Sequence, residues 1–164
     1  MISLKTILVP SDFSECSDAA VRYGLELARR FDAKLHLLHV VADPATQAWA
    51  AEGFAMAIPE VVAQWQVEAR ARLVASVPAA DAGRVTTFVT VASPYPEILR
   101  YANEHGVDLI VMGTHGRGAV THMLLGSIAE KVVRRAPCPV LTVHHPQREF
   151  VEPELPIAAA AQLA

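Results

Sequence analysis

Several kinds of strong signal are scarce in this 164-residue chain. Aromatic residues make up only 6%, glycine occurs eight times, and there are two cysteines, Cys16 and Cys138. There is no CxxC pair and no Cys/His cluster, which argues against a zinc ribbon or a dithiol redox motif. Both thiols read as reduced, as expected of a cytoplasmic protein. Lysine and arginine number 14 against 17 acidic residues, a net charge of −3. No basic excess therefore points to nucleic acid or to an anionic membrane surface. The longest mainly apolar stretch, residues 42–63, is broken by Asp43, Pro44, Glu52, Pro59 and Glu60, whereas a membrane-spanning helix needs about 20 predominantly apolar residues in a row. The opening MISLKTILVPSDF reads as a first strand and not as a signal peptide. What is present, 52% hydrophobic and 19% charged residues, is the profile of one globular domain with a sizeable core.

Along the chain, short β-branched runs alternate with helical spacing. KTILVP (residues 5–10) reads as a strand ending at a proline. The next segment shifts to helical period, with Ser14 as the expected N-cap and Ala20, Leu27 and Phe31 on one face. KLHLLHVV (34–41) reads as a second strand, residues 42–58 as a connection of unassigned structure, and the segment from Pro59 as a helix begun by proline. RVTTFVTV (84–91) reads as strand three, followed by a helix with Gly106 at its C-terminal cap. VDLIVMG (107–113) is apolar enough to be a strand covered on both faces. Residues 127–135 read as helix, CPVLTV (138–143) as strand five, and residues 146–164 as a Pro-, Glu- and Ala-rich tail after a domain of residues 1–145. This alternation predicts an α/β fold, a doubly wound parallel sheet with helices on both faces. In such folds ligands lie beyond the carboxyl ends of the strands where the strand order reverses.

One loop stands out against the general shortage of glycine. GTHGRGAVTHMLLGS (113–127) holds four of the eight glycines and follows an apparently buried strand. It contains neither GxxxxGK[ST] nor GxGxxG, and LGSIA lacks the second glycine of a nucleophile elbow. Gly113 and Gly116 are expected to permit positive φ and close approach of a ligand. Gly126 and Ser127 stand at a helix start, where free amides and the helix dipole favour an anion, and the Ser127 hydroxyl is expected to cap that helix or donate to a phosphate. On the residues alone, anion binding and plain turn chemistry both stand.

The spacing GxxG, nine residues, then Gly-Ser resembles the ATP-binding signature of the universal stress protein family. The resemblance extends through ILVPSDFSECSDAAVRYGLELA, LHLLHVV, GVDLIVMGTHGRG and VVRRAPCPVLTV, roughly residues 3–145, with residues 42–58 poorly matched. It implies a Rossmann-like, adenine nucleotide alpha hydrolase-like domain with five parallel strands in the order 3-2-1-4-5. It also implies binding of ATP with Mg2+ or Mn2+. By resemblance, Asp12 would lie at the ribose with Pro10 and Ser11 beside it, and the Val40 main chain would meet adenine. Met112 and Gly113 would line the sugar and α-phosphate. His115, Gly116, Gly126, Ser127, Ile128 and Ala129 would contact phosphates, with Arg117 and His122 nearby. The family order leaves strand five on an edge, and PVLTV, from Pro139 through Val143, is short, apolar and uncharged. Such an edge tends to pair, so a homodimer through it is expected.

Asp12 also suits an Asx turn or a cap for the first helix. His36 and His39, three apart on a strand, should face opposite sides, so the seven histidines offer no metal site built from protein side chains. Cys138, between Pro137 and Pro139, reads as strand-entry packing, and Trp49 and Trp65 as packing residues. No carboxylate lies in the glycine loop, and only His115 or His122 is at hand as a base, so no catalytic residue is assigned. The expected role is a nucleotide-dependent switch in stress response or signalling. The alternatives are a slow ATPase or nucleotide transferase, or an interaction protein with a vestigial pocket.

Overall fold

The computed structural model describes residues 2–42, 58–114, 125–144, 146 and 151, and every structural statement below refers to these. The elements are β1 (Thr6–Pro10), α1 (Glu15–Phe31), β2 (Lys34–Ala42), α2 (Ile58–Ala75), β3 (Val85–Ala92), α3 (Pro94–Glu104), β4 (Leu109–Gly113), α4 (Ser127–Arg135) and β5 (Val140–Val143). All strand pairs are parallel and the sheet order is β3-β2-β1-β4-β5. The expected α/β architecture is thus present, and the order reverses between β1 and β4.

Strand residues divide by twos between the faces. Ile7, Val9, Leu35, Leu37 and Val111 join Ala20, Val21 and Leu25 of α1 and Leu73 of α2 in one core. Leu8, Leu38, Ile110 and Met112 join Ile98 and Tyr101 of α3 and Val132 of α4 in the other. Because both faces are covered, these strands are apolar throughout instead of alternating. Val151, from the segment read as a tail, packs against the first core.

Local expectations hold at several ends. Ser14 is the N-cap of α1, its Oγ accepting from the Ser17 amide at 3.3 Å. Gly106 stands one residue past the His105 cap of α3 with φ +56°, the left-handed position that glycine favours. Strands β1, β3, β4 and β5 start one or two residues later than expected. At β4 the reason is Asp108, whose carboxylate accepts the amides of Lys5 and Thr6 at 2.7 and 2.9 Å and so ends the loop.

Helix α1 lies unusually close to the sheet. A Cβ on Gly24 would stand 2.6 Å from Val9 Cγ2, and one on Gly113 would stand 2.9 Å from both the carbonyl carbon and the Cβ of Cys16. The expectation of positive φ at Gly113 is corrected here: Gly106 is the only glycine with positive φ among the described residues. Gly113 lacks a side chain because the first turn of α1 occupies the space.

A 3-10 turn, Ala79–Asp81, was not foreseen. It buries the Asp81 carboxylate, 3% exposed, under Arg29, whose Nε and Nη2 donate to it at 3.1 and 2.6 Å, with Arg84 Nε at 3.5 Å. The Arg29 hydrogen bonds hold the Asp81 carboxyl below the usual aspartate range.

Two outcomes follow from this packing. Gly113→Ala should lower stability by about 1–3 kcal/mol, the usual cost of overpacking, seen as a Tm drop of several degrees; an unchanged Tm would show that α1 can move away freely. Asp81→Ala should cost about 1.5–3 kcal/mol at pH 7, the range for hydrogen bonds to charged groups. Since the folded-state pKa is depressed, this contribution exists above the unfolded value of about 4 and is lost as pH falls through the folded value. The gap between variant and wild type, followed by urea unfolding, should therefore close below about pH 4, and a gap that persists there would contradict the assignment.

Candidate functional site

The turn after β1 is built tightly. The Ser11 amide donates to the Leu38 carbonyl at 2.9 Å, which carries the sheet ladder one residue past β1. Ser11 is buried, and its Oγ accepts the Phe13 amide at 3.1 Å. Asp12 Oδ1 accepts both the amide and the hydroxyl of Ser14, at 3.1 and 2.6 Å, so the Asx-turn role of Asp12 is realised. Phe13 adopts φ +62°, which is strained for a bulky residue. Its ring is stacked on His39 with centroids 4.5 Å apart, and the Arg72 guanidinium lies 4.1 Å from the ring centre. His39 Nδ1 is also 2.7 Å from the Ser11 carbonyl oxygen. No sequence signal marked Phe13 for a left-handed conformation, because what holds it comes from β2 and α2.

At the end of β4, Gly113 meets Cys16 and therefore lies beside this turn. The next residue, Thr114, is buried and joins three pieces of chain. Its amide donates to the Val143 carbonyl at 2.9 Å, its carbonyl accepts the Gly126 amide at 2.7 Å, and its hydroxyl pairs with His144 Nδ1 at 3.0 Å. Gly126 is the N-cap of α4, with φ −67° and ψ 155°. Ser127 is thus the first helical residue and not the cap, which corrects the capping role expected of its hydroxyl. The α4 ladder begins with the Glu130 amide donating to the Gly126 carbonyl. The amides of Ser127, Ile128 and Ala129 precede the ladder, as at any helix start, whereas that of Gly126 is already engaged by Thr114.

Val40 completes the frame. Pro10, the last residue of β1, is in register with Leu38. Main-chain groups two residues apart on a parallel strand point to the same side. Val40 is paired with Thr90 of β3 on one side, and on the other its main chain extends past the end of β1. Pro10, Ser11, Asp12, Met112, Gly113, Gly126, Ser127, Ile128 and Ala129 thus all belong to the carboxyl ends of β1 and β4 and the start of α4, with Val40 at their β2 border. His115, Gly116, Arg117 and His122 lie outside the described residues.

The remaining features are separate. A cleft of about 580 Å³ between α1 and α2, lined by Arg22, Arg29 and Arg72 among others, contains none of the residues expected to bind nucleotide. His36 faces away from His39, as expected, and its Nδ1 is 3.1 Å from the Tyr101 hydroxyl beside Phe88 and His105. Burial there pushes its pKa down. Among the described residues no group of three or more potential metal-ligating side chains occurs, and no helix is long and apolar enough to cross a membrane.

Comparison with known proteins agrees with this geometry. Universal stress protein MJ0531 of Methanocaldococcus jannaschii is 34% identical over 146 residues, covering 88% of this chain and 85% of that one. Universal stress protein UspA from Lactobacillus plantarum superposes with a TM-score of 0.69 at 29% identity, covering 87% of this chain and 99% of that one. A universal stress protein solved in complex with cAMP has a TM-score of 0.59 at 26% identity, with 87% and 98% covered. The model of the universal stress protein family matches residues 3–144. With the 3-2-1-4-5 sheet in place and that match spanning most of its length, the chain belongs to the universal stress protein family.

Proposed function

We propose that this protein binds ATP, with Mg2+ or Mn2+ on the phosphates, in the crevice between the β1 turn and the start of α4. It would act there as a nucleotide-dependent switch. The observation that carries this reading is the linkage of the parts. Cys16 lies on Gly113, and Thr114 binds Gly126, so the Asp12 turn and the first amides of α4 border one space at the point where the strand order reverses. The neighbour that holds cAMP lends support for an adenine nucleotide.

In this reading the amides of Ser127, Ile128 and Ala129 take a phosphate, favoured by the helix dipole. The Val40 main chain meets the adenine edge. Asp12 accepts a ribose hydroxyl, with Pro10, Ser11, Met112 and Gly113 forming the floor. His115, Gly116 and Arg117 add to the phosphate side. In this reading the cation takes its ligands from phosphate and water. Hydrolysis, if any, stays well under the roughly 10 per second of a median enzyme. A homodimer forms through β5, which is an edge of the sheet.

Saturating Mg-ATP, at about one hundred times Kd, should stabilise the nucleotide-stripped protein by about 2.7 kcal/mol, a Tm rise of roughly 5–10 °C; no rise refutes the proposal. The φ and ψ of Gly126 suit any residue, so Gly126→Val should keep the fold and lose the ATP-dependent rise. Asp12→Ala should weaken binding about ten- to hundredfold, as for a lost hydrogen bond to a charged group; a destabilised Asp12→Ala with wild-type affinity would leave Asp12 as a turn residue alone. For the dimer, light scattering at micromolar concentration should give twice the chain mass for wild type and a monomer for Thr142→Pro; the Pro139 and Val143 carbonyls face β4, so the Thr142 amide lies on the outward edge and proline removes that donor. A monomeric wild type contradicts it.

A further inference from the structure

We propose that Thr114 and His144 form a clasp that presets the geometry of the nucleotide crevice, with His144 as a positioning residue; the effect on affinity rests on the ATP-binding reading above. The two ends of the glycine-rich connection meet at one residue. The Thr114 carbonyl holds the Gly126 amide at 2.7 Å, and its amide holds the Val143 carbonyl at 2.9 Å. These two bonds fix the start of α4 and the end of β5 relative to the end of β4. The Thr114 hydroxyl, 3.0 Å from His144 Nδ1, supplies a third anchor from the residue just after β5.

The burial pattern explains why a polar pair is used. Thr114 is 6% exposed, so its hydroxyl has little access to water and a partner is required. A hydroxyl and a ring nitrogen meet that need in either tautomer, since each can donate or accept. Valine would fill the same volume at Thr114 but leave His144 without this bond.

The consequence reaches the amides proposed for phosphate. Ser127, Ile128 and Ala129 follow directly on Gly126, so whatever holds Gly126 in place also aims them. In this scheme His144 acts on the assigned ligand residues by way of Thr114. Its influence on nucleotide is therefore indirect, and it links the end of the edge strand β5 to the crevice.

The test uses the full chain with bound nucleotide removed, and reads two quantities in Thr114→Val, Thr114→Ser, His144→Ala and the double variant Thr114→Val/His144→Ala. The first is hydrogen exchange of the Gly126 amide by NMR without nucleotide. It should speed up about three- to tenfold in Thr114→Val and His144→Ala, the range for one lost hydrogen bond, while the amides of Leu8 and Val111 in the central strands keep their wild-type rates. Thr114→Ser, which keeps the hydroxyl, should restore slow exchange. The second is the Kd for Mg-ATP by calorimetry, which should rise by a similar factor in Thr114→Val and His144→Ala. It should rise no further in the double variant, because one contact is being removed twice. Unchanged Gly126 exchange overturns the clasp. Faster exchange at Gly126, Leu8 and Val111 together overturns it too, since that is general destabilisation. Faster exchange at Gly126 alone with unchanged Kd overturns the positioning role. A wild-type protein that binds no Mg-ATP refutes the parent reading and the affinity role together, and the exchange data then tell the two failures apart.

Discussion

At Gly113 the backbone of α1 comes so close to the end of β4 that a Cβ would stand 2.9 Å from two atoms of Cys16. Most of the site's geometry depends on that approach. It holds the first turn of α1 against β4 and so keeps the Asp12 turn beside the end of β4. Parallel pairing of β1 with β4, Ile7 with Leu109 and Leu8 with Ile110, sets the strands side by side. The missing side chain then lets the segments leaving them share a border. The absence at Gly113 is a packing requirement of the fold, and this is also why substitution there cannot report cleanly on a ligand.

The two loops differ in how they are stabilised. The β1 turn carries backbone strain at Phe13, offset by the Ser11 hydroxyl, the His39 ring and the Arg72 guanidinium. Strain of this kind persists only where neighbours over-determine the conformation. The end of β4 is held at Thr114 through hydrogen bonds of its amide, carbonyl and hydroxyl. The turn after β1 is thus fixed by stacking and the end of β4 by a polar junction. The core beneath is apolar on both faces of the sheet and contributes rigidity to both.

Much of this was legible in the chain. Alternating strand and helix periods gave the element order, and apolar runs such as LIVM marked strands covered on both faces. Ser14 was readable as a cap and Gly106 as a left-handed stop because those roles depend on a few adjacent residues. The family resemblance, carried by the glycine spacing, led to the strand order. What escaped the reading depends on residues distant in sequence. Asp81 is buried because Arg29, 52 residues away, reaches it. Phe13 takes positive φ because of partners on other elements. Thr114 and His144 stand 30 residues apart, Thr114 at an unspecified position of the glycine signature and His144 outside it. Positive φ was expected at Gly113, whereas the space its side chain would fill is taken by a helix that begins about a hundred residues earlier in the chain.

The central claim is that the Asp12 turn and the start of α4 border one adenine nucleotide crevice. A crystal structure of the nucleotide-stripped protein soaked with Mg2+ and a non-hydrolysable ATP analogue tests it most directly. The account predicts a phosphate on the amides of Ser127, Ile128 and Ala129, the ribose at Asp12, and the adenine edge against the Val40 main chain. A nucleotide seated elsewhere, as in the cleft between α1 and α2, or one whose phosphates do not touch the α4 amides, would contradict it.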